Sequence, residues 1–68
     1  MNGQMYYVRA TLNSGSEETQ FFYDEHCAME YGEVISNKEH IVKVYCGKLC
    51  VENKHPCMDK NEILKTWE

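Results

Sequence analysis

The stretch Asp24-Glu25-His26-Cys27-Ala28-Met29-Glu30-Tyr31-Gly32-Glu33-Val34-Ile35-Ser36-Asn37 lies between two strand-like runs, and its reading decides the fold class. Cys27, Ala28, Tyr31, Val34 and Ile35 fall at i, i+1, i+4, i+7 and i+8. At about 100° per residue they share one side of a helix. Asp24 suits the N-cap, Glu25 sets negative charge at the positive end of the dipole, and Asn37 can end the helix in a left-handed conformation. On this phase Cys27 belongs to the buried stripe. Glu25, His26, Met29, Glu33 and Ser36 face outward, with Glu30 at the edge. Gly32 costs about 1 kcal/mol against alanine inside a helix, so it either admits a partner backbone or fits beneath a bulky strand residue.

Working outward, Tyr6 to Leu12 alternates as a half-buried strand does. Tyr6, Val8, Ala10 and Leu12 point one way, and Met5, Tyr7, Arg9 and Thr11 the other. Residues 13–18 read as a turn, since Asn13 and Gly15 tolerate positive φ. Thr19 to Tyr23 reads as the second arm of a hairpin, with either Phe22 or the pair Phe21 and Tyr23 inward. After the helix, His40 to Cys46 resumes a strand. Gly47 marks a bulge or a tight corner before Lys48-Leu49-Cys50-Val51. Glu52 to Asn61 is polar, holds Pro56 and reads as a loop, and Glu62 to Glu68 reads as a closing strand in preference to a one-turn helix. The expected architecture is α+β, β-β-α-β(-β), with one amphipathic helix packed on an antiparallel sheet. Residues 1–68 form a single domain.

Composition narrows the function. A net charge of −4 with seven scattered Lys and Arg residues argues against direct nucleic-acid binding, which needs cations to displace counterions from phosphates. Residues 1–5 carry no positive cluster and lead into no apolar run, so neither export nor a membrane span is expected. A reducing cytosol is the expected location, with the four cysteines as thiols or metal ligands.

Two chemistries are open to those cysteines. Cys46, Cys50, His55 and Cys57 supply the donor types of a Cys3His zinc site, although the x3, x4 and x1 gaps lack the usual C-x2-C knuckle. In a continuous strand Cys46 and Cys50 would lie about 13 Å apart, too far for one metal unless Gly47-Lys48 turns. Cysteine nucleophiles are conceivable at Cys57 near His55 and at Cys27, where the helix dipole would lower a thiol pKa. Nothing in so small a chain suggests an oxyanion hole, and no enzyme activity or cofactor is expected.

Binding has more support. Tyr7, Arg9 and Tyr45, with Met5, Thr11, Ile41 and Lys43, compose an open sheet face with the residue types of a protein interface, unless the C-terminal segment with Trp67 folds over it and makes Tyr7 core. Met29, Glu30 and Glu33 offer a second surface on the helix. Glu17, Glu18, Asp24, Glu25, Glu30, Glu33 and Glu39 form an acidic edge that could mimic phosphates toward a nucleic-acid-binding protein or complex. A homodimer is also compatible with the sheet face.

Two strands, a helix entered through Asp24 after Phe21-Phe22-Tyr23, and a Val-rich third strand make residues 5–46 resemble small phage and prophage accessory proteins, among them anti-CRISPR and other anti-defence inhibitors. The resemblance is one of architecture. It implies a non-enzymatic inhibitor that occupies a host protein, with zinc binding by the Cys3His set as the alternative.

Overall fold

The computed structural model describes residues 3–53 and 55–67, with backbone alone at 56–60. Strands β1 (Gly3–Leu12) and β2 (Glu17–Phe22) precede helix α1 (Glu25–Ser36), and β3 (Ile41–Glu52) and β4 (His55–Trp67) follow. The four strands form one antiparallel sheet in the order β2-β1-β3-β4. The expected α+β class is what the chain adopts. Among the described residues no helix is long and apolar enough to cross a membrane.

The first hairpin closes where a glycine permits it. Gly15 takes φ +94°, its N–H donates to Leu12 O at 2.9 Å, and Leu12 N–H donates to Ser16 O at 2.8 Å. Register then settles the Phe21/Phe22 ambiguity. Phe22 pairs with Tyr6 on the helix side and meets Tyr31 at 5.3 Å, while Phe21 pairs with Tyr7 on the other side.

The helix begins as its cap predicts. Asp24 is extended, and its Oδ2 accepts from Cys27 N–H at 3.0 Å. It ends differently. Asn37 stays right-handed at φ −90°, and its side-chain Nδ2 donates to Glu33 O at 2.8 Å. The Asn37 amide thus satisfies a terminal carbonyl without a left-handed residue.

The buried side of α1 also differs from the expected stripe. Ala28, Gly32 and Ile35 are buried, Tyr31 and Met29 pack half-buried against the core, and Cys27 and Val34 are exposed, Val34 at 60%. The helix is rotated by roughly a quarter turn from the phase its aliphatic residues predict. Trp67 is the reason. A Cβ built on Gly32 would sit 2.5 Å from Trp67 Cη2, so the absent side chain is the seat for an indole. Burying that large ring outweighs burying a cysteine and a valine. Trp67 Nε1 donates to Glu33 Oε2 at 2.6 Å, and Lys65 Nζ lies 5.0 Å from the ring centroid. Val8, Ala10, Val44 and Cys46 form the sheet side of this core.

The β3 and β4 strands run longer than expected. β3 passes unbroken through Gly47, so Gly47 is not a corner; the pairing shifts there because β4 carries one extra residue, Leu64, and Gly47 faces that bulge. The expected loop at residues 52–61 is instead a turn at Asn53, with φ 51°, followed by strand from His55. Pro56 pairs in register with Val51. A proline is tolerated there because β4 is an edge strand, where one missing N–H leaves no inner ladder broken. A second irregularity, between Thr11 and Leu12, sets Leu12 opposite Ile41. It turns Ile41 toward the helix-side core and leaves Val42 exposed, the reverse of simple alternation.

Cys27→Ala is therefore expected to change stability by less than about 0.5 kcal/mol, as exposed positions do. Gly32→Ala should lower it by about 1–3 kcal/mol through overpacking against the indole, despite alanine's better helix propensity. Thermal melts of the two variants, with Gly32→Ala melting no lower than Cys27→Ala, would refute the seat.

Candidate functional site

The face opposite the helix is organised around Tyr7, which is 2% exposed. Expectation placed it in solvent. Its parity is as predicted, since it points away from α1, but it does not stand free. Gly47 lies directly across the ladder, and a Cβ there would fall 2.5 Å from the Tyr7 ring and hydroxyl. Tyr7 Oη donates to Asn61 Oδ1 at 3.0 Å, and its ring meets Tyr45 edge-on at 6.1 Å and 87°. The phenol lies flat over a glycine and is held at its tip by β4. Leu49, one register step beyond Gly47, is buried on the same face. Tyr7 is core, and cannot act as a contact hot spot.

Arg9 and Tyr45 keep a share of surface. They are register partners on β1 and β3, and Thr19 is the partner of Arg9 on β2. Arg9 Nε donates to Thr19 Oγ1 at 3.2 Å and Nη1 donates to Tyr45 Oη at 3.4 Å, so the guanidinium is fixed from both neighbouring strands. The Tyr45 hydrogen bond, with a smaller contribution from Glu17, raises the Arg9 pKa further, and its charge is permanent. Together with Lys43, Ile63, Thr66 and the tip of Tyr7 these residues line an open depression of about 550 Å³. No Asp or Glu stands among its described lining residues. Phe21 at 45% and Ile63 at 50% exposure are apolar side chains on this face.

The helix residues expected to join a binding surface are not beside this site. Met29 turns into the core on the far side of the sheet. Glu30 is exposed and pairs with His26 at 3.5 Å, and Glu33 is occupied by the Trp67 indole.

The cysteines divide similarly. Cys46 is fully buried in the helix-side core, and Cys50 is exposed four residues on along an unbroken strand. Because β3 does not turn at Gly47, the two remain about 13 Å apart at ~3.3 Å per residue. The Cys57 side chain lies outside the described residues, but its backbone pairs with Cys50, and His55 pairs with Glu52. Among the described residues no three His, Cys, Asp or Glu side chains converge as a metal site requires.

Cys27 contradicts the expectation of an activated thiol. Its pKa is raised, first by its hydrogen bond to Asp24. The carboxylate that caps the helix stabilises the protonated thiol. Burial, with some help from Glu25, raises Cys46 as well.

Thr19, Phe21, Ile63 and Asn61 escaped the sequence reading. The first two hung on the hairpin register, and the last two lie beyond bulges that break simple alternation. No family model, no curated protein and no solved structure matches the chain.

Tyr7→Phe should cost about 0.5–1.5 kcal/mol for the lost Asn61 bond, and Tyr7→Ala about 3–5 kcal/mol. Burial is the main cause that raises the Tyr7 pKa in the folded state, with Tyr45 adding and Arg9 opposing. Its contribution is complete below the unfolded value of about 10 and fades as pH rises beyond it. Denaturant melts at rising alkaline pH should therefore lose stability less steeply in Tyr7→Phe than in the parent. Equal slopes would show that Tyr7 does not titrate differently on unfolding.

Proposed function

We propose that this chain is a small non-enzymatic binding module whose working surface is the sheet face opposite the helix. It takes a protein partner that offers a carboxylate flanked by apolar side chains. The observation that carries this reading is the fixed Arg9, held by Thr19 and Tyr45 on a depression that also holds Lys43 and lacks described acidic residues. An arginine already restrained by two hydrogen bonds loses little further freedom on binding, and arginine and tyrosine dominate interface hot spots. Exposed Phe21 and Ile63 on the same face supply apolar area.

Local positive charge on an otherwise acidic chain fits a protein carboxylate better than a nucleic-acid backbone, which the net charge of −4 would repel at range. The raised thiols of Cys27 and Cys46 weigh against cysteine catalysis. Resemblance to phage accessory proteins favours an inhibitor that acts by occupying a host protein, and that step rests on the resemblance alone.

A photo-crosslinking amino acid placed at Phe21 should capture one protein in source cells, and Arg9→Glu should abolish capture without lowering the melting temperature appreciably. The same residue at Val34, on the helix side, should capture nothing in common. Equal capture from both positions, or capture indifferent to Arg9→Glu, would refute the sheet-face reading. Capture of a second copy of this chain would make the surface a dimer interface instead.

A further inference from the structure

We propose that Cys50 and Cys57 form a reversible disulfide across the β3–β4 hairpin, making this pair a redox-modification site. The two residues are directly opposed in the antiparallel register. Opposed residues in such a ladder have Cα atoms about 4.5–5.5 Å apart, within the ~4.4–6.8 Å span that a disulfide bridges. The remaining cysteines are placed otherwise. Cys46 pairs with Val8 and Lys65 and is fully buried, and Cys27 lies in the first turn of the helix. Cys50 is exposed, so a small oxidant can reach its sulfur.

The neighbouring register pair, Glu52 and His55, would complete a four-residue patch with metal-ligand chemistry. A metal would need at least three of these four donors to converge, whereas a disulfide needs only the opposed pair that the register supplies.

The oxidant is a low-molecular-weight disulfide such as oxidised glutathione. The Cys50 thiolate attacks one of its sulfurs and expels one glutathione thiolate, leaving a mixed disulfide. The Cys57 thiolate then attacks the Cys50 sulfur and expels the second. Two electrons pass from the protein to the glutathione disulfide, and the two thiol protons end on the two glutathione molecules released.

The cross-link would act where the ladder is weakest. Between the pairs Lys48–Glu62 and Cys50–Cys57, Leu49 of β3 faces the four residues 58–61 of β4. Asn61, which accepts the Tyr7 hydroxyl, belongs to that excess segment. Lys48 Nζ and Glu62 Oε2, 3.7 Å apart, brace one end, and the disulfide would fix the other. This proposal is independent of the binding reading.

The test treats the folded, reduced full-length protein with oxidised glutathione, alkylates remaining thiols after denaturation, and maps peptides by mass. The expected product is lighter by about 2 Da, linked 50 to 57, with Cys27 and Cys46 alkylated. Its melting temperature should rise by about 10–20 °C, and reductant should reverse the rise. Cys50→Ser should lose both effects and carry a single glutathione on Cys57. Because Cys50 is exposed, that variant is expected to fold. A persistent glutathione adduct on Cys50 in the parent, a link to Cys27 or Cys46, or a link between chains would overturn the proposal. So would one equivalent of zinc, bound when zinc is added to the reduced protein and lost in Cys50→Ser.

Discussion

The contact on which the rest depends is the Trp67 indole seated against Gly32. It joins β4 to α1, and it sets which side of that helix is buried. With the ring in place, Ala28 and Ile35 meet Val8, Ala10, Val44 and Cys46, while Cys27 and Val34 are left outside. The Nε1 donor would be a liability in an apolar seat, and Glu33 accepts it from one residue along the helix. A 12-residue helix is too short to persist alone, so this burial is what keeps it formed.

The opposite face repeats the device with a different ring. Tyr7 lies over Gly47 as Trp67 lies over Gly32, and its polar tip is satisfied by Asn61 as the indole is by Glu33. Each face therefore gains a large aromatic without a second covering layer. A chain of 68 residues has little other means of enlarging its core. Arg9 inherits its position from this arrangement, since Tyr45 packs edge-on against Tyr7 and offers its hydroxyl to the guanidinium.

Much of this was legible in the residues. The Asp24 cap, the alternation of β1, the turn at Gly15 and the closing strand all follow from local chemistry, and local chemistry is what a sequence displays. The misreadings share one cause. Gly32 was readable as a seat beneath a bulky strand residue, but neither it nor Gly47 shows which residue sits there, since the partners lie 35 residues away at Trp67 and 40 away at Tyr7 and a missing side chain leaves no hydrophobic signal. Once the indole occupies one seat, the helix phase shifts. Once the phenol occupies the other, an expected contact residue becomes core. The bulges at Thr11/Leu12 and Cys46/Gly47 hid the places of Ile41 and Ile63 because alternation assumes an unbroken ladder. The strand from His55 onward was masked by proline and polar composition, which an edge strand tolerates.

The placement of the single tryptophan gives the molecule a built-in optical probe of one layer. Trp67 sits on the helix side of the sheet, and Tyr7 and Tyr45 sit on the other. Indole emission consequently reports the docking of β4 on the helix, and no second tryptophan on the Arg9 face dilutes it. Partial openings of a small domain are often concealed by a single global signal. Here the single indole marks the helix side alone, so undocking of β4 from the helix can be followed without any label.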